Sequence, residues 1–294
     1  MYRFTSTRDI GSITHRLHPG DVAVLASGTY GERGRTFAWS ASGRPGQPIT
    51  IKAQPHARVT LLGNNVITGS HVVVQHLAFA GPTGPIQDES GQRHEEYVLG
   101  IRGDFVSVSG CEVRDSAWHA GIYITGNHAT VSHCWVHDNG VWSDPAHSNV
   151  DHGIYFDGGV DGLITANVID HNVGYGLQVY PSALGVSVTS NVIIRNGTMR
   201  STDHGGGILL GGRVKDVKIA HNVIAFNDGW DLRSGSSYDG VGNVAENNIS
   251  YGNAAPPWSG ASPIAVRANN SSNPCDLILE RVALPVVPPV CRPE

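Results

Sequence analysis

Histidine, tyrosine and aspartate crowd one part of this chain. The run HSNVDHGIYFDGGVDG, residues 147–162, holds Asp151, His152, Tyr155 and Asp157 together. Upstream stand Arg102 and the group Trp118, His119 and Tyr123. Downstream come Tyr175, Gln178, Tyr180, the step Asp203-His204, and Arg233. Imidazole exchanges protons near neutral pH. A phenol gives a proton, or takes one as phenolate, and a guanidinium offsets negative charge as it develops. These types suit acid–base chemistry on a substrate where negative charge develops. On that reading His152 or His204 is the base, Tyr155 the proton donor or, with a lowered pKa, the base, and Arg102, Arg233, Gln178 or a cation held by Asp151 and Asp157 neutralises. Trp118, His119, Tyr123, Asp151, Asp157, Tyr175, Gln178 and Tyr180 bind substrate, aromatic faces against sugar rings and polar groups to hydroxyls.

Such residues act together only if a scaffold brings them together, and the pattern between them supplies one. Asn recurs in ITANVI, VTSNVI, IAHNVI and VAENNI as Asn167, Asn191, Asn222 and Asn247, with Cys134, Cys111 and Leu77 at the same place in earlier copies. A second Asn column runs through Asn139, Asn172, Asn196 and Asn227. A fixed register of this kind marks a solenoid. Abundant glycine (37 residues) and low charge (15%) fit short strands joined by tight turns. The expected fold is all-β: a single-stranded right-handed parallel β-helix, with Val, Ile and Leu stacked inside and Asn holding the corners. A capping helix is expected at 6–17. The helix with its cap spans 1–255, and the Pro-rich tail 256–294 closes the far end without forming a domain.

Long and short repeats alternate. The surplus residues fall in 81–97, 140–151 and 197–206, all after the second Asn column and before a Gly-led strand. They are expected to form one wall beside one sheet. Period-two reading of that sheet turns Arg102, Tyr123, Tyr155, Gln178, Leu209 and Arg233 outward, then Asp104, Thr125, Asp157, Tyr180, Gly211 and Gly235. Tyr123, Tyr155 and Gln178 then make an exposed stripe about 10 Å long, since neighbouring strands lie about 4.8 Å apart.

The segments GDVAVLASGTYGE, GQPITIKAQP, HGIYFDGG and GYGLQVYPS resemble the right-handed parallel β-helix superfamily of pectate-lyase type, over roughly residues 15–253. The resemblance implies a polysaccharide partner and, first among activities, a lyase cleaving a uronic-acid glycan by β-elimination. It also implies Lys or Arg bases and calcium. The lysines, Lys52, Lys215 and Lys218, all lie off the stripe, and no obvious acidic triad supplies the six to eight oxygens Ca²⁺ needs. No cofactor is therefore required, with calcium left open. His119, Asp151, His152 and His204 are the alternative ligands for a transition metal. A hydrolase would pair Asp104 with Asp157, or Asp151 with Asp203. A uronan epimerase would share the proton abstraction, and a glycan-binding module would use the same groove without chemistry.

The net charge of −5 argues against nucleic acid. No apolar run spans a membrane. A monomer is expected, secreted or periplasmic, with the cytoplasm as the other location. Cys275 and Cys291 are a candidate disulfide of the tail, while Cys111 and Cys134 read as small buried side chains.

Overall fold

The computed structural model describes residues 2–4, 10, 14–81, 97–142, 150–197, 205–235, 237–267 and 269–273. The chain winds as a parallel β-helix with three faces. The first face is an 11-stranded sheet, running from Tyr2–Phe4 and Val22–Leu25 to Val244–Glu246 and Ala265–Val266. The second and third belong to one 15-stranded sheet. The second carries β7 (Ala78–Ala80), β10 (Glu112–Arg114), β13 (Trp135–His137), β16 (Val168–Asp170), β19 (Val192–Ile194), β22 (Val223–Ala225) and β25 (Ile249–Tyr251). The third carries β8 (Tyr97–Ile101), β11 (Ala120–Ile124), β14 (His152–Asp157), β17 (Tyr175–Tyr180), β20 (Gly206–Leu210) and β23 (Trp230–Ser234). The strand β5 (Val59–Ile67) joins these two faces, pairing with β7 through its first half and β8 through its second.

Inside, like stacks on like. Ile122, Ile154, Leu177, Ile208 and Leu232 are in register and fully buried. Each such side chain contributes about 1.5–3 kcal/mol on leaving water.

The corners are built from two residue types in succession. The first adopts a left-handed backbone: His133, Ala166, Ser190, His221 and Asn247 at one corner, Asp138, His171, Arg195 and Phe226 at the next. The second is the ladder Asn. Asn191 donates Nδ2 to Ile164 O (2.9 Å) and Asn222 Oδ1 (3.0 Å), while its own Oδ1 accepts from Asn167 N and Nδ2 (3.0 and 2.9 Å). Asn222 continues to Asn248, not Asn247. The expected position was one residue early, because Asn247 takes the left-handed corner before the ladder position. Cys111 and Cys134 are buried, and Cys134 fills the Asn role with a thiol: its Sγ donates to Ser132 O, as Asn139 Nδ2 does to His137 O. The hydrogen bond shared with Cys134, with burial behind it, pushes the Cys111 thiol well up.

At the ends, Ile10 and Thr14 are helical and buried; most of the helix expected at 6–17 lies outside the described residues, as do Cys275 and Cys291. Tyr2–Phe4 adds a strand where none was expected. The register also runs past residue 255. Ala265–Val266 pair with Val244–Ala245, and Asn270 extends the first ladder from Asn248. The sequence hides this coil because PPWSG interrupts the pattern before it resumes. Asp231, fully buried, ties that interruption down by accepting from Trp258 N (2.8 Å) and Ser250 Oγ (2.6 Å); burial raises its pKa.

Candidate functional site

The third face brings Tyr123, Tyr155 and Gln178 into one column, in direct register. Leu209 and Arg233 continue it. Tyr123 belongs to an aromatic cluster apart from the interior core, so the column is outward. It is not the exposed stripe expected. Tyr123 is 7% and Gln178 9% exposed, and only Tyr155 is half-open. The side chains pack on one another rather than standing separately in water.

One register was misread. Gly100, not Arg102, pairs with Tyr123, and Ile101 stacks on Ile124 rather than Ile122. The shift of two keeps Arg102 outward but moves it beside the Thr125–Asp157–Tyr180 column. Asp104 leaves that column altogether. Its Oδ1 accepts from Asn127 N (2.9 Å) and Nδ2 (3.0 Å) at a turn. The pairing of Asp104 with Asp157 is therefore absent, and Asp203, partner of Asp151 in the other hydrolase pair, lies outside the described residues.

Gly100 has a consequence. A Cβ there would come within 2.3 Å of the Tyr97 ring. Its absence lets Tyr97 lie across the position and stack on Tyr123, with centroids 4.9 Å apart and planes 9° from parallel. Arg102 donates to Tyr97 Oη at 2.7 Å and lies over its ring. Tyr97 was not among the candidates; its place after the long 81–97 insertion concealed it.

Around this stack the groups converge. Tyr123 donates its O–H to Asp157. His119 lies 5.5 Å from Tyr123 and 5.3 Å from Tyr155 between ring centroids, and Tyr155 lies 5.4 Å from Tyr123. His152 is 5.9 Å from Tyr155 and 5.8 Å from Tyr175. Arg233 donates to Tyr175 Oη at 3.2 Å. Trp118 borders the cluster in sequence and is half-buried, as is Tyr180, whose ring lies over Gly211 where a Cβ would meet it at 2.8 Å. His204 and Asp203 lie outside the described residues, as does most of each of the three insertions expected to form a wall.

Two candidates turn out differently from their expected roles. Asp151 is fully buried, and its two oxygens accept from His119 N and Val141 N, both at 2.7 Å. It braces the loop that presents His119. His152 accepts at Nδ1 from Tyr175 N (3.1 Å). An acceptor Nδ1 places the proton of the neutral ring on Nε2. Among the described residues no three His, Cys, Asp or Glu side chains group to hold a metal.

A three-faced parallel coil carrying an aromatic and acid-base cluster on one face is a β-helix of the kind that presents sites along its side. The chain belongs to the right-handed β-helix family: residues 98–273 match the family described as "Right handed beta helix region". Residues 4–147 also match the family described as "Chondroitinase B". Among solved structures it is similar to pectate lyase Pel9A (15% identity, 93% of this chain and 79% of that one, TM-score 0.64). It is similar also to an alginate lyase from Paenibacillus sp. (14%, 92% and 99%, 0.55) and to a rhamnogalacturonan lyase (13%, 93% and 87%, 0.57). No curated protein sequence matches it. No helix among the described residues is long and apolar enough to cross a membrane.

Proposed function

We propose that the protein is a polysaccharide lyase that cleaves a uronic-acid glycan by β-elimination on the third face. The observation that carries this is the convergence of Tyr97, His119, Tyr123, His152 and Tyr155 from three successive coils, with Arg102 against one end and Arg233 against the other. The similarity to three structures named as lyases of acidic polysaccharides supports it.

In the reaction the C5–H bond of the uronate breaks and its electron pair forms the C4–C5 double bond. The C4–O bond breaks in turn, and the departing oxygen takes a proton. Arg102 neutralises the carboxylate on which charge develops. With His152 bound as a donor, the proton is taken by His119, the other described imidazole of the cluster. Tyr155, between the two histidines, protonates the departing oxygen, and His152 Nε2–H orients it. Tyr97 and Tyr123 form the floor on which a sugar ring lies. A polymeric substrate of this kind fits action outside the cytoplasm.

Incubation with polygalacturonate, alginate and chondroitin sulfate, followed by ultraviolet absorbance of the new double bond, tests the reading. Rising absorbance that His119→Ala and Tyr155→Phe abolish is the expected result. New reducing ends without absorbance mean hydrolysis, and binding without either means a module; both outcomes refute the lyase.

A further inference from the structure

The second face carries a feature that the chemistry above does not use. Trp135 stands outward from β13 and is 48% exposed, beside exposed Val168 in the next coil. A tryptophan left in water is ordinarily mobile, but this one is held. Its Nε1 donates to Asp170 Oδ1 at 2.9 Å. One ring face rests on the His137 imidazole, with centroids 3.7 Å apart and planes at 21°. His137 is itself clamped, Nδ1 to Asp138 at 2.6 Å and Nε2 to Glu112 at 3.2 Å. Arg195 and His171 hold Asp170 Oδ2 at 2.6 and 3.2 Å. Since His137 covers one side and nearly half the residue remains exposed, the other indole face is open.

Beside this platform the surface turns concave. Glu112, which pairs with Trp135 in the adjacent strand, is at the edge of a groove of about 410 Å³. Arg58, Thr60, His76, Ala78 and Gly110 line the rest. The volume lies in the range of ligand sites, about 300–1,000 Å³. Gly110 opens its floor: a Cβ there would fall 2.7 Å from the His76 ring. Arg58 and His76 are exposed donors, and Glu112 is an acceptor on the same rim.

We infer that this groove and Trp135 form a second saccharide site, separate from the catalytic face, that takes one or two pyranose units of the polysaccharide. The apolar C–H face of the sugar stacks on the open indole. Its hydroxyls and carboxylate meet Arg58, His76 and Glu112. Because the indole is already immobilised, stacking costs little side-chain entropy, as in rigid aromatic anchors of binding surfaces. The site holds the polymer while the third face acts on it. Only the substrate class is borrowed from the proposed function.

The test is titration of polygalacturonate and alginate, by calorimetry and by retardation in polymer-containing gels, into Tyr155→Phe protein, so that the polymer stays intact. Trp135→Ala in that background is expected to raise Kd roughly 5- to 50-fold, the scale of one ring stacked on an aromatic, and Trp135→Phe to fall between. In otherwise wild-type protein, Trp135→Ala should leave turnover of short oligouronates unchanged. Equal Kd for Trp135→Ala and its parent overturns the second site even if lyase activity is found. A Trp135-dependent Kd in a protein without lyase activity upholds the site and removes the proposed reaction. A dimer that Trp135→Ala dissolves, with polymer affinity unchanged, also overturns it.

Discussion

Tyr175 donates its backbone N–H to His152 Nδ1, and this single hydrogen bond between neighbouring coils settles which nitrogen of the ring carries the proton. It puts the proton of the neutral ring on Nε2, which is why the proposed reaction uses His152 as a donor. Glutamine at this position keeps both an acceptor for Tyr175 and an N–H donor, whereas alanine keeps neither. His152→Gln should therefore retain at least tenfold more kcat than His152→Ala, which is expected to lose about 10²- to 10⁴-fold. Equal rates for the two variants in the ultraviolet assay would remove the donor role.

Tyr155 is half-open between buried Tyr123 and Gln178. Replacing it with phenylalanine keeps its ring contacts with His119, Tyr123 and His152 and deletes only the hydroxyl. The expected outcome is a kcat lowered about 10²-fold or more, with KM nearly constant, the signature of an interaction made in the transition state. Steady-state kinetics on a uronate polymer decides it; a change in KM alone would mean that Tyr155 only binds.

Gly100 holds open the space that Tyr97 occupies. Gly100→Ala pushes a methyl group into that ring and unstacks it from Tyr123. Activity should fall roughly fivefold, on the scale of 1 kcal/mol for an aromatic pair, and the fall should be small in Tyr97→Ala protein, where there is no ring to displace. Additive losses in the double variant would disconnect the two positions.

Asp170 lies under the Trp135 platform. Burial works against its ionisation, but hydrogen bonds from Trp135, His171 and Arg195, with the Arg195 charge, outweigh this and hold its pKa below the usual value. A native pKa below the unfolded one, about 3.9, means that its stabilisation is present above that pH and is lost as pH falls through the native value. Asp170→Asn should thus lower the melting temperature at pH 7 and converge with wild type in more acidic solution. Parallel pH profiles for the two proteins would contradict this.

In the Asn ladder, position decides cost. Asn191 is buried with neighbours above and below, whereas Asn270 is the last in its column among the described residues and half-exposed. Leaving a buried donor or acceptor unmade costs about 1–3 kcal/mol per group. Asn191→Ala should lose several kcal/mol and Asn270→Ala about 1 kcal/mol or less. Urea denaturation measures both, and equal losses would argue against ladder cooperativity.

The sequence by itself determined the coil. Val, Ile and Leu at period two, and Asn at each corner, specify parallel strands in register, because a slip by one residue would turn every apolar side chain to water. That is why Tyr123, Tyr155 and Gln178 could be placed in one column before any coordinates. What the tertiary structure decided was everything that depends on contacts between coils. A slip by two residues keeps inside and outside intact, so the pattern could not tell whether Gly100 or Arg102 faced Tyr123, and Tyr97 stayed hidden. The solenoid's outer surface has no apolar rule to betray its neighbours, so the clamped Trp135 left no mark in the repeat. Protonation was equally invisible: His152 is a donor only because the next coil points an amide at it, and Asp151 is a brace only because two amides reach its oxygens.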